Sequence, residues 1–194
     1  MSRPDLPKWL TKTPVAHRGL HDIARGVPEN SRLAFRKAME AGYAIETDVR
    51  ITGDGQVVVF HDADLKRLCG RDGIVARMPL ADLKQLTLLG TGETVPSFRD
   101  LLDLVQGQVP LVVEIKKDKE QPIGPLETSV ARMLQHYPGP FVVQSFNPSQ
   151  KGGSMEMLVR WPAIVTDRLI SPCMMPLRRC RGLILRDGLS ASSG

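Results

Sequence analysis

The sequence has few of the residues that mark a secreted, zinc-binding or membrane protein. It contains three cysteines in 194 residues and no Cys-x-x-Cys pair, which indicates neither a disulfide framework nor a zinc site. No apolar run approaches the ~20 residues of a membrane span, and the N-terminus lacks the apolar core of a signal peptide. We therefore expect a soluble, cytoplasmic protein without stable membrane insertion.

Aromatic residues and charge of one sign are also scarce. The chain has two tryptophans, two tyrosines and five phenylalanines, and its formal net charge is +5. This charge suits an anionic ligand such as phosphate, but no basic stripe with interleaved aromatics indicates nucleic-acid binding. With 42% apolar and 24% charged residues the composition is that of an ordinary folded protein, and the length predicts a single domain over 1–194.

The segment 43–62 carries the strongest functional signal. In its first predicted strand, Glu46 and Asp48 share one face, because side chains alternate along a strand. Two acids on one face of an apolar strand repel each other, and a divalent metal with oxygen ligands would relieve this repulsion. A turn at 52–55 then predicts a returning strand that ends at His61, close to the two acids.

Other polar residues also fall where predicted strands end. His17 and Arg18 close a short apolar strand that stops at a glycine. Glu114 interrupts the apolar strand 110–116, and Lys116 follows two positions later, on the same face. A buried, unpaired glutamate is costly, so Glu114 requires a metal or a basic side chain as its partner.

The order of predicted elements is that of an α/β protein. Helices are predicted over 31–41, 80–89, 97–105 and 122–137, and strands are centred on Ala16, Ile45, Val58, Val112 and Val142. After residue 148 only 163–167 and, more weakly, 183–185 indicate strands. The polar residues of interest follow strands, at the end where open sheets and (β/α)₈ barrels keep their active sites.

Five motifs together resemble the glycerophosphodiester phosphodiesterases, which are TIM-barrel enzymes. These motifs are Ala16-His17-Arg18-Gly19, Pro28-Glu29-Asn30-Ser31, Ile45-Glu46-Thr47-Asp48-Val49, Val59-Phe60-His61-Asp62 and Val113-Glu114-Ile115-Lys116. The resemblance covers 15–148 and implies an α/β fold of the TIM (β/α)₈ barrel type. A full barrel has ~250 residues and eight strands. The five predicted strand centres count as five of these, and 163–167 is similar to the last, so about two β/α units are missing and the segment 149–194 is atypical.

The resemblance also implies the chemistry and the site. It implies a hydrolase that splits a small-molecule glycerophosphodiester into glycerol 3-phosphate and an alcohol, with Ca²⁺ or Mg²⁺ as cofactor. It implies Glu46, Asp48 and Glu114 as metal ligands and His17 and His61 as the acid/base pair. It also implies Arg18 and Lys116 as contacts of the substrate phosphate, with Glu29 and Asn30 in supporting positions. Whether water or the 2-hydroxyl of glycerol is the nucleophile stays open.

Two other functions are compatible with the same residues. One is an inactive remnant of the fold that binds phosphate esters without turnover. The other is phospholipase D-like chemistry on choline phospholipids, which uses a similar set of His, Glu and Asp residues; the lack of a signal peptide and of paired cysteines argues against a secreted member of that group.

The shortened C-terminal part has a structural consequence. A closed barrel pairs its last strand with its first, so a chain with too few strands leaves two edges open. We therefore expect an open barrel, with Val15, Ala16 and His17 exposed along one edge and 172–194 poorly packed. Open strand edges favour self-association.

Overall fold

The computed structural model of the chain describes residues 7–117, 124–147 and 154–160. The helices in these ranges are α1 (Lys8–Lys12), α2 (Arg32–Glu40), α3 (Lys66–Cys69), α4 (Leu80–Leu83), α5 (Phe98–Val105) and α6 (Pro125–Gln135). The strands are β1 (Val15–Ala16), β2 (Ala44–Ile51), β3 (Val57–Val59), β4 (Leu111–Ile115), β5 (Phe141–Asn147) and β6 (Ser154–Arg160).

Four of the described strands form a parallel sheet in the order β1-β2-β4-β5. In the chain, α2 lies between β1 and β2, α5 precedes β4, and α6 lies between β4 and β5. Parallel neighbours that are separated by a helix are the consecutive units of a TIM barrel. The fold is therefore α/β of the TIM-barrel type, as the sequence predicted, and the described residues hold part of such a barrel.

The strand centred on Val58 is not a barrel strand, so the count of five such strands was wrong. β3 runs antiparallel to β2 and lies off the path of the parallel strands. The turn between them is closed by the N–H of Thr52, which donates to Gln56 O at 2.9 Å, and Gly55 within it has a φ of 76°. A turn this short reverses the chain, whereas parallel pairing requires a crossover of a dozen or more residues.

β6 was not predicted from the sequence; it pairs antiparallel with β5 along the full length of both strands. Its sequence, Ser-Met-Glu-Met-Leu-Val-Arg, contains one β-branched residue and no aromatic one, and strand prediction depends on those residue types. The strands predicted at 163–167 and 183–185, and the tail 172–194, lie outside the described residues.

Serine side chains cap the starts of α2 and α5. Ser31 Oγ accepts the backbone N–H of the third residue of α2 at 3.1 Å. Ser97 and Asp100 form a reciprocal capping box at the start of α5. The helix predicted over 80–89 is shorter, because α4 ends at Leu83.

The described helices include none of the length and apolar character that would let it cross a membrane. The cytoplasmic location expected from the sequence stays a prediction.

The two faces of β2 are both buried, but they meet different surroundings. Ile45 and Val49 face the helices and belong to a cluster that includes Phe35 of α2 and Phe98 of α5. All four side chains are 0% exposed. This helical layer holds β2 in place, so that its other face forms the interior of the partial barrel.

The interior is closed at the amino ends of the strands by α1. Leu10 of α1 packs in one cluster with Val15, Ala44, Val112 and Val142, which come from β1, β2, β4 and β5. Leu10 is 4% exposed. An apolar layer therefore lies beneath the polar residues that follow two and four positions later on the same faces of β2 and β4.

The expectation that Val15 and Ala16 are exposed is wrong, although β1 is the terminal strand of the described sheet. Val15 is 8% exposed and Ala16 is 4% exposed, because Val15 packs with α1 and Ala16 packs with the helical layer. His17 is half-buried. Self-association of the chain through open strand edges stays a prediction.

Substitution of Leu10 tests the role of α1. Leu10→Ala removes most of a buried side chain and leaves a cavity against the apolar interior layer. We expect the free energy of unfolding, measured with urea, to fall by about 2–5 kcal/mol. Lys8→Ala, at an exposed position of the same helix, is the matched control; an equally small loss in both variants would show that α1 does not close the interior.

Candidate active site

Three buried carboxylates converge toward the carboxyl ends of β2 and β4. Glu46 and Asp48 lie on the inward face of β2, and Glu114 of β4 pairs directly with Asp48 in the parallel register. One carboxylate oxygen of each residue lies within 4.8 Å of those of the other two. Glu46 and Asp48 are 0% exposed and Glu114 is 5% exposed. The structure thus brings together the three acids that the strand patterns singled out.

Glu46 has the most perturbed environment of these acids. Burial, and then the negative charge of Asp48, raise the pKa of Glu46 to about 8. The backbone N–H of Arg18 donates to Glu46 Oε2 at 2.8 Å, which opposes this rise without cancelling it. Glu46 Oε1 is buried and has no hydrogen-bond donor among the described residues. Such an oxygen is costly to bury, so the arrangement fits a cation that takes the place of the donor.

Lys116 lies against the other two acids. Its Nζ is 3.3 Å from Asp48 Oδ1 and forms an ion pair with Glu114 Oε1. The backbone N–H of Lys116 donates to Val49 O at 3.0 Å, which extends the pairing of β2 with β4 beyond Ile115. The ammonium group therefore offsets part of the negative charge of the cluster from its partly exposed side.

Arg18 and Asn30 hold the acids from two loops. Both have left-handed backbone conformations, with φ of 55° and 53°, and the N–H of Asn30 donates to Arg18 O at 2.8 Å. Asn30 Nδ2 donates to Asp48 Oδ2 at 2.9 Å, and its Oδ1 accepts from Thr47 Oγ1 at 3.0 Å. Residues other than glycine rarely adopt this conformation, and such strain is concentrated at functional sites. We therefore interpret the two loops as parts of one site.

The side chain of Arg18 connects the acidic cluster to Glu29. Its Nη1 donates to Glu29 Oε1 at 2.9 Å, and its Nε lies 3.3 Å from Asp48 Oδ2. His17, the preceding residue, is half-buried, with Nε2 3.9 Å from Glu46 Oε2. The loop after β1 thus brings one histidine and one guanidinium to the acids, whereas Glu29 reaches the cluster through Arg18.

His61 follows β3, and Arg50 Nε donates to its carbonyl oxygen at 2.8 Å. His61 Nδ1 lies 2.6 Å from Asp62 Oδ1. Burial acts to raise the pKa of Asp62, but hydrogen bonds from Arg67 and His61 outweigh it and lower this pKa to about 2. At neutral pH Asp62 is therefore a carboxylate and can only accept hydrogen bonds. The proton of neutral His61 must lie on Nδ1, which leaves a lone pair on Nε2.

Two residues that support the site, Gln144 and Arg67, were not predicted from the sequence. Gln144 of β5 donates from Nε2 to Glu114 Oε2 at 3.2 Å. Arg67 of α3 donates to both Glu29 and Asp62, at distances of 2.7–3.1 Å. The break that Gln144 makes in the apolar start of β5 is a signal that could have revealed it. Arg67 lies among other polar residues, where no pattern distinguishes it.

Curated relatives resemble part of the chain. A glycerophosphodiester phosphodiesterase of Caldanaerobacter subterraneus subsp. tengcongensis is 37% identical over 110 residues, which cover 53% of this chain and 44% of that protein. A probable glycerophosphodiester phosphodiesterase 2 of Mycobacterium tuberculosis is 40% identical over 89 residues, which cover 45% of this chain and 33% of that protein. The chain thus matches less than half the length of each of these relatives.

Solved structures share the fold over a larger part of the chain. A phosphodiesterase of Oleispira antarctica, in complex with the product sn-glycerol-3-phosphate, superposes with a TM-score of 0.63 at 28% identity, over 71% of this chain and 60% of that one. A glycerophosphodiester phosphodiesterase of Thermotoga maritima superposes with a TM-score of 0.58 at 31% identity, over 70% of this chain and 54% of that one.

A model of the glycerophosphoryl diester phosphodiesterase family matches residues 17–149, which is more than half of the chain. The matched range begins at His17 and contains every site residue predicted from the sequence. It includes the acids on β2 and β4 and both loops that hold them. The resemblance seen in the motifs is therefore confirmed: the chain belongs to the glycerophosphoryl diester phosphodiesterase family.

Proposed function

We propose that the chain hydrolyses glycerophosphodiesters to glycerol 3-phosphate and an alcohol in a metal-dependent reaction. The observation that carries this proposal is the buried cluster of Glu46, Asp48 and Glu114 beside two cations, Arg18 and Lys116. The names of the relatives, and the product bound to the Oleispira antarctica enzyme, support this substrate class. The whole chain, 1–194, would act as one domain.

Glu46, Asp48 and Glu114 would hold the metal, because their carboxylate oxygens converge within 4.8 Å of one another and Glu46 Oε1 is buried without a hydrogen-bond donor in the described part of the chain. Carboxylate oxygens are the ligands that Ca²⁺ and Mg²⁺ prefer. When bound, such a cation polarises the phosphoryl oxygens as a Lewis acid. Asn30 and Gln144 hydrogen-bond the remaining oxygens of Asp48 and Glu114, which orients these carboxylates.

Arg18 and Lys116 would bind the phosphate of the substrate. Both side chains touch the acidic cluster and remain partly exposed, at 18% and 21%. Their positive charge would offset the negative charge that builds on the phosphoryl oxygens in the transition state. The left-handed backbone of Arg18 supports this role, since its N–H donates to Glu46 Oε2 while its guanidinium lies against Asp48.

His17 and His61 would move the protons. One takes a proton from the attacking hydroxyl, and the other gives a proton to the leaving alkoxide as the phosphorus–oxygen bond breaks. His61 suits this role because Asp62 holds the proton on Nδ1 and leaves Nε2 as an acceptor. The attacking group is water or the 2-hydroxyl of glycerol, and only the second route forms a cyclic phosphate that product analysis detects.

A phosphate-ester-binding module without turnover is the second candidate function. It is favoured by Arg18 and Lys116, whose positive charges beside the acidic cluster can bind a phosphate ester whether or not turnover follows. Glycerophosphocholine separates the two functions. Turnover that stops with a chelator and returns with Ca²⁺ or Mg²⁺ supports the hydrolase, whereas binding of glycerol 3-phosphate without turnover supports the module.

Removal of Glu114 tests the metal assignment. We expect Glu114→Ala to lower the affinity for Ca²⁺ and Mg²⁺, measured by calorimetry, by more than the ~10–100-fold that loss of an outer partner of a metal ligand costs. Turnover should fall with it. Glu40→Ala, at an exposed position of α2, is the matched control and should bind metal as the wild type does. Unchanged metal affinity in Glu114→Ala would contradict the assignment.

Substitution of His61 tests the proton-transfer role. We expect His61→Ala to lower kcat by about 10²–10⁴-fold. The bell-shaped dependence of the rate on pH should also lose one limb. His136→Ala, at an exposed position after α6, should leave the rate and the profile unchanged. A wild-type pH profile in His61→Ala would mean that His61 has only a structural role.

A further inference from the structure

Arg67, on the short helix α3, makes four side-chain hydrogen bonds to two carboxylates. Its Nε donates to Asp62 Oδ2 at 2.7 Å and its Nη1 to Glu29 Oε2 at 2.8 Å. Its Nη2 donates to Glu29 Oε1 at 2.8 Å and to Asp62 Oδ1 at 3.1 Å. The side chain of Arg67 is nevertheless 47% exposed, and exposed single ion pairs contribute little. The guanidinium of Arg67 binds two carboxylates from different loops, and each carboxylate in turn binds a residue of the site: Asp62 binds His61 and Glu29 binds Arg18.

We propose that Arg67 is a positioning residue of this site: its guanidinium joins Asp62 to Glu29 and thereby orients His61 and Arg18 toward the substrate. The inference rests on the proposed function, since the oriented groups are its proton-transfer and phosphate-binding residues. Arg67 itself touches neither the acidic cluster nor His61 in any contact described above.

The first arm of the network runs to His61. Asp62 Oδ1 accepts from His61 Nδ1 at 2.6 Å and from Arg67 Nη2 at 3.1 Å, so one oxygen connects the two side chains. Asp62 also accepts from Arg67 Nε through its second oxygen, which fixes the plane of the carboxylate. A fixed carboxylate selects the Nδ1–H tautomer of His61 and the orientation of its ring, because the acceptor does not rotate away.

The second arm runs to Arg18. Glu29 Oε1 accepts from Arg67 Nη2 at 2.8 Å and from Arg18 Nη1 at 2.9 Å, so the two guanidinium groups share one oxygen. Burial acts to raise the pKa of Glu29, but the hydrogen bond from Arg67 and the charge of Arg18 outweigh it and lower the pKa. Glu29 is therefore ionised at neutral pH and keeps Arg18 directed along Asp48.

Lysine does not reproduce these contacts. Arginine offers five N–H donors in a rigid, planar fork, whereas lysine carries one ammonium group on a flexible stem. The four bonds of Arg67 use Nε, Nη1 and Nη2 together. Arg67→Lys therefore keeps the positive charge but cannot make the hydrogen bonds to Asp62 and Glu29 at the same time. This variant separates the effect of hydrogen-bond geometry from that of charge.

The test combines kinetics with a direct readout of His61 in the full chain. Turnover of glycerophosphocholine with Mg²⁺ or Ca²⁺ is measured for the wild type, Arg67→Ala, Arg67→Lys and the control Lys66→Ala, whose exposed side chain pairs with Asp72. Added guanidinium chloride, at concentrations below those that unfold the chain, probes rescue. Nitrogen-15 NMR of histidine-labelled protein reports which ring nitrogen of His61 carries the proton, and thermal unfolding reports stability.

We expect Arg67→Ala to lower kcat by about 10–100-fold, the range that loss of an orienting partner costs, with KM changed much less. Guanidinium should restore part of the rate, and the His61 resonances should change from the Nδ1–H tautomer to a mixture. Arg67→Lys should be impaired in the same direction and Lys66→Ala unaffected. A wild-type rate and tautomer in Arg67→Ala would overturn the proposal.

A lower rate with an unchanged tautomer and a lower unfolding temperature would also overturn it, since Arg67 would then only anchor α3. The NMR arm separates this inference from the proposed function. If the wild type does not turn over, the proposed function fails, while the tautomer in wild type and Arg67→Ala still decides whether Arg67 positions His61.

Discussion

The mutual repulsion of three buried carboxylates is the constraint on which the rest of the site depends. Glu46, Asp48 and Glu114 meet because two parallel strands place them on one inward face in one register. Burial withdraws water, which strengthens the repulsion and raises the cost of each oxygen without a donor. The apolar layer around Leu10 and the helical layer around Phe35 stabilise the strands that carry this unfavourable cluster. The core thus maintains a site that is unfavourable without a cation.

The residues around the cluster neutralise the charge of Asp48 and leave an oxygen of Glu46 available to a cation. Arg18, Asn30 and Lys116 each contact Asp48, while Glu46 keeps one oxygen without a donor among the described groups. If protein groups neutralised the acids completely, a bound metal would add little stability. If they neutralised none of this charge, burial of the acids would destabilise the fold. The left-handed backbones of Arg18 and Asn30 are the local cost of this arrangement.

Side-chain alternation made part of this site predictable. The Glu46-x-Asp48 pattern, and the one acid in the apolar strand of Glu114, indicate inward-facing acids without knowledge of any partner. The register that places Asp48 beside Glu114 depends on tertiary packing, and β3 was miscounted because an apolar run does not show whether its strand joins the parallel sheet. Arg67 was missed because no spacing rule exists for its contacts: Asp62 lies five residues before it, outside α3, and Glu29 lies 38 residues before it.

The stability of the metal-free protein tests the central claim most directly. Because the pKa of Glu46 is raised to about 8, metal-free folding at neutral pH requires Glu46 to take up a proton; Glu46→Gln removes this cost and keeps an oxygen that can accept the backbone N–H of Arg18. The free energy of unfolding is measured by urea titration in chelator and again with Ca²⁺ or Mg²⁺ at neutral pH. We expect Glu46→Gln to be more stable than the wild type without metal and to gain far less stability when metal is added. A metal-free Glu46→Gln variant that is less stable than the wild type would contradict the account.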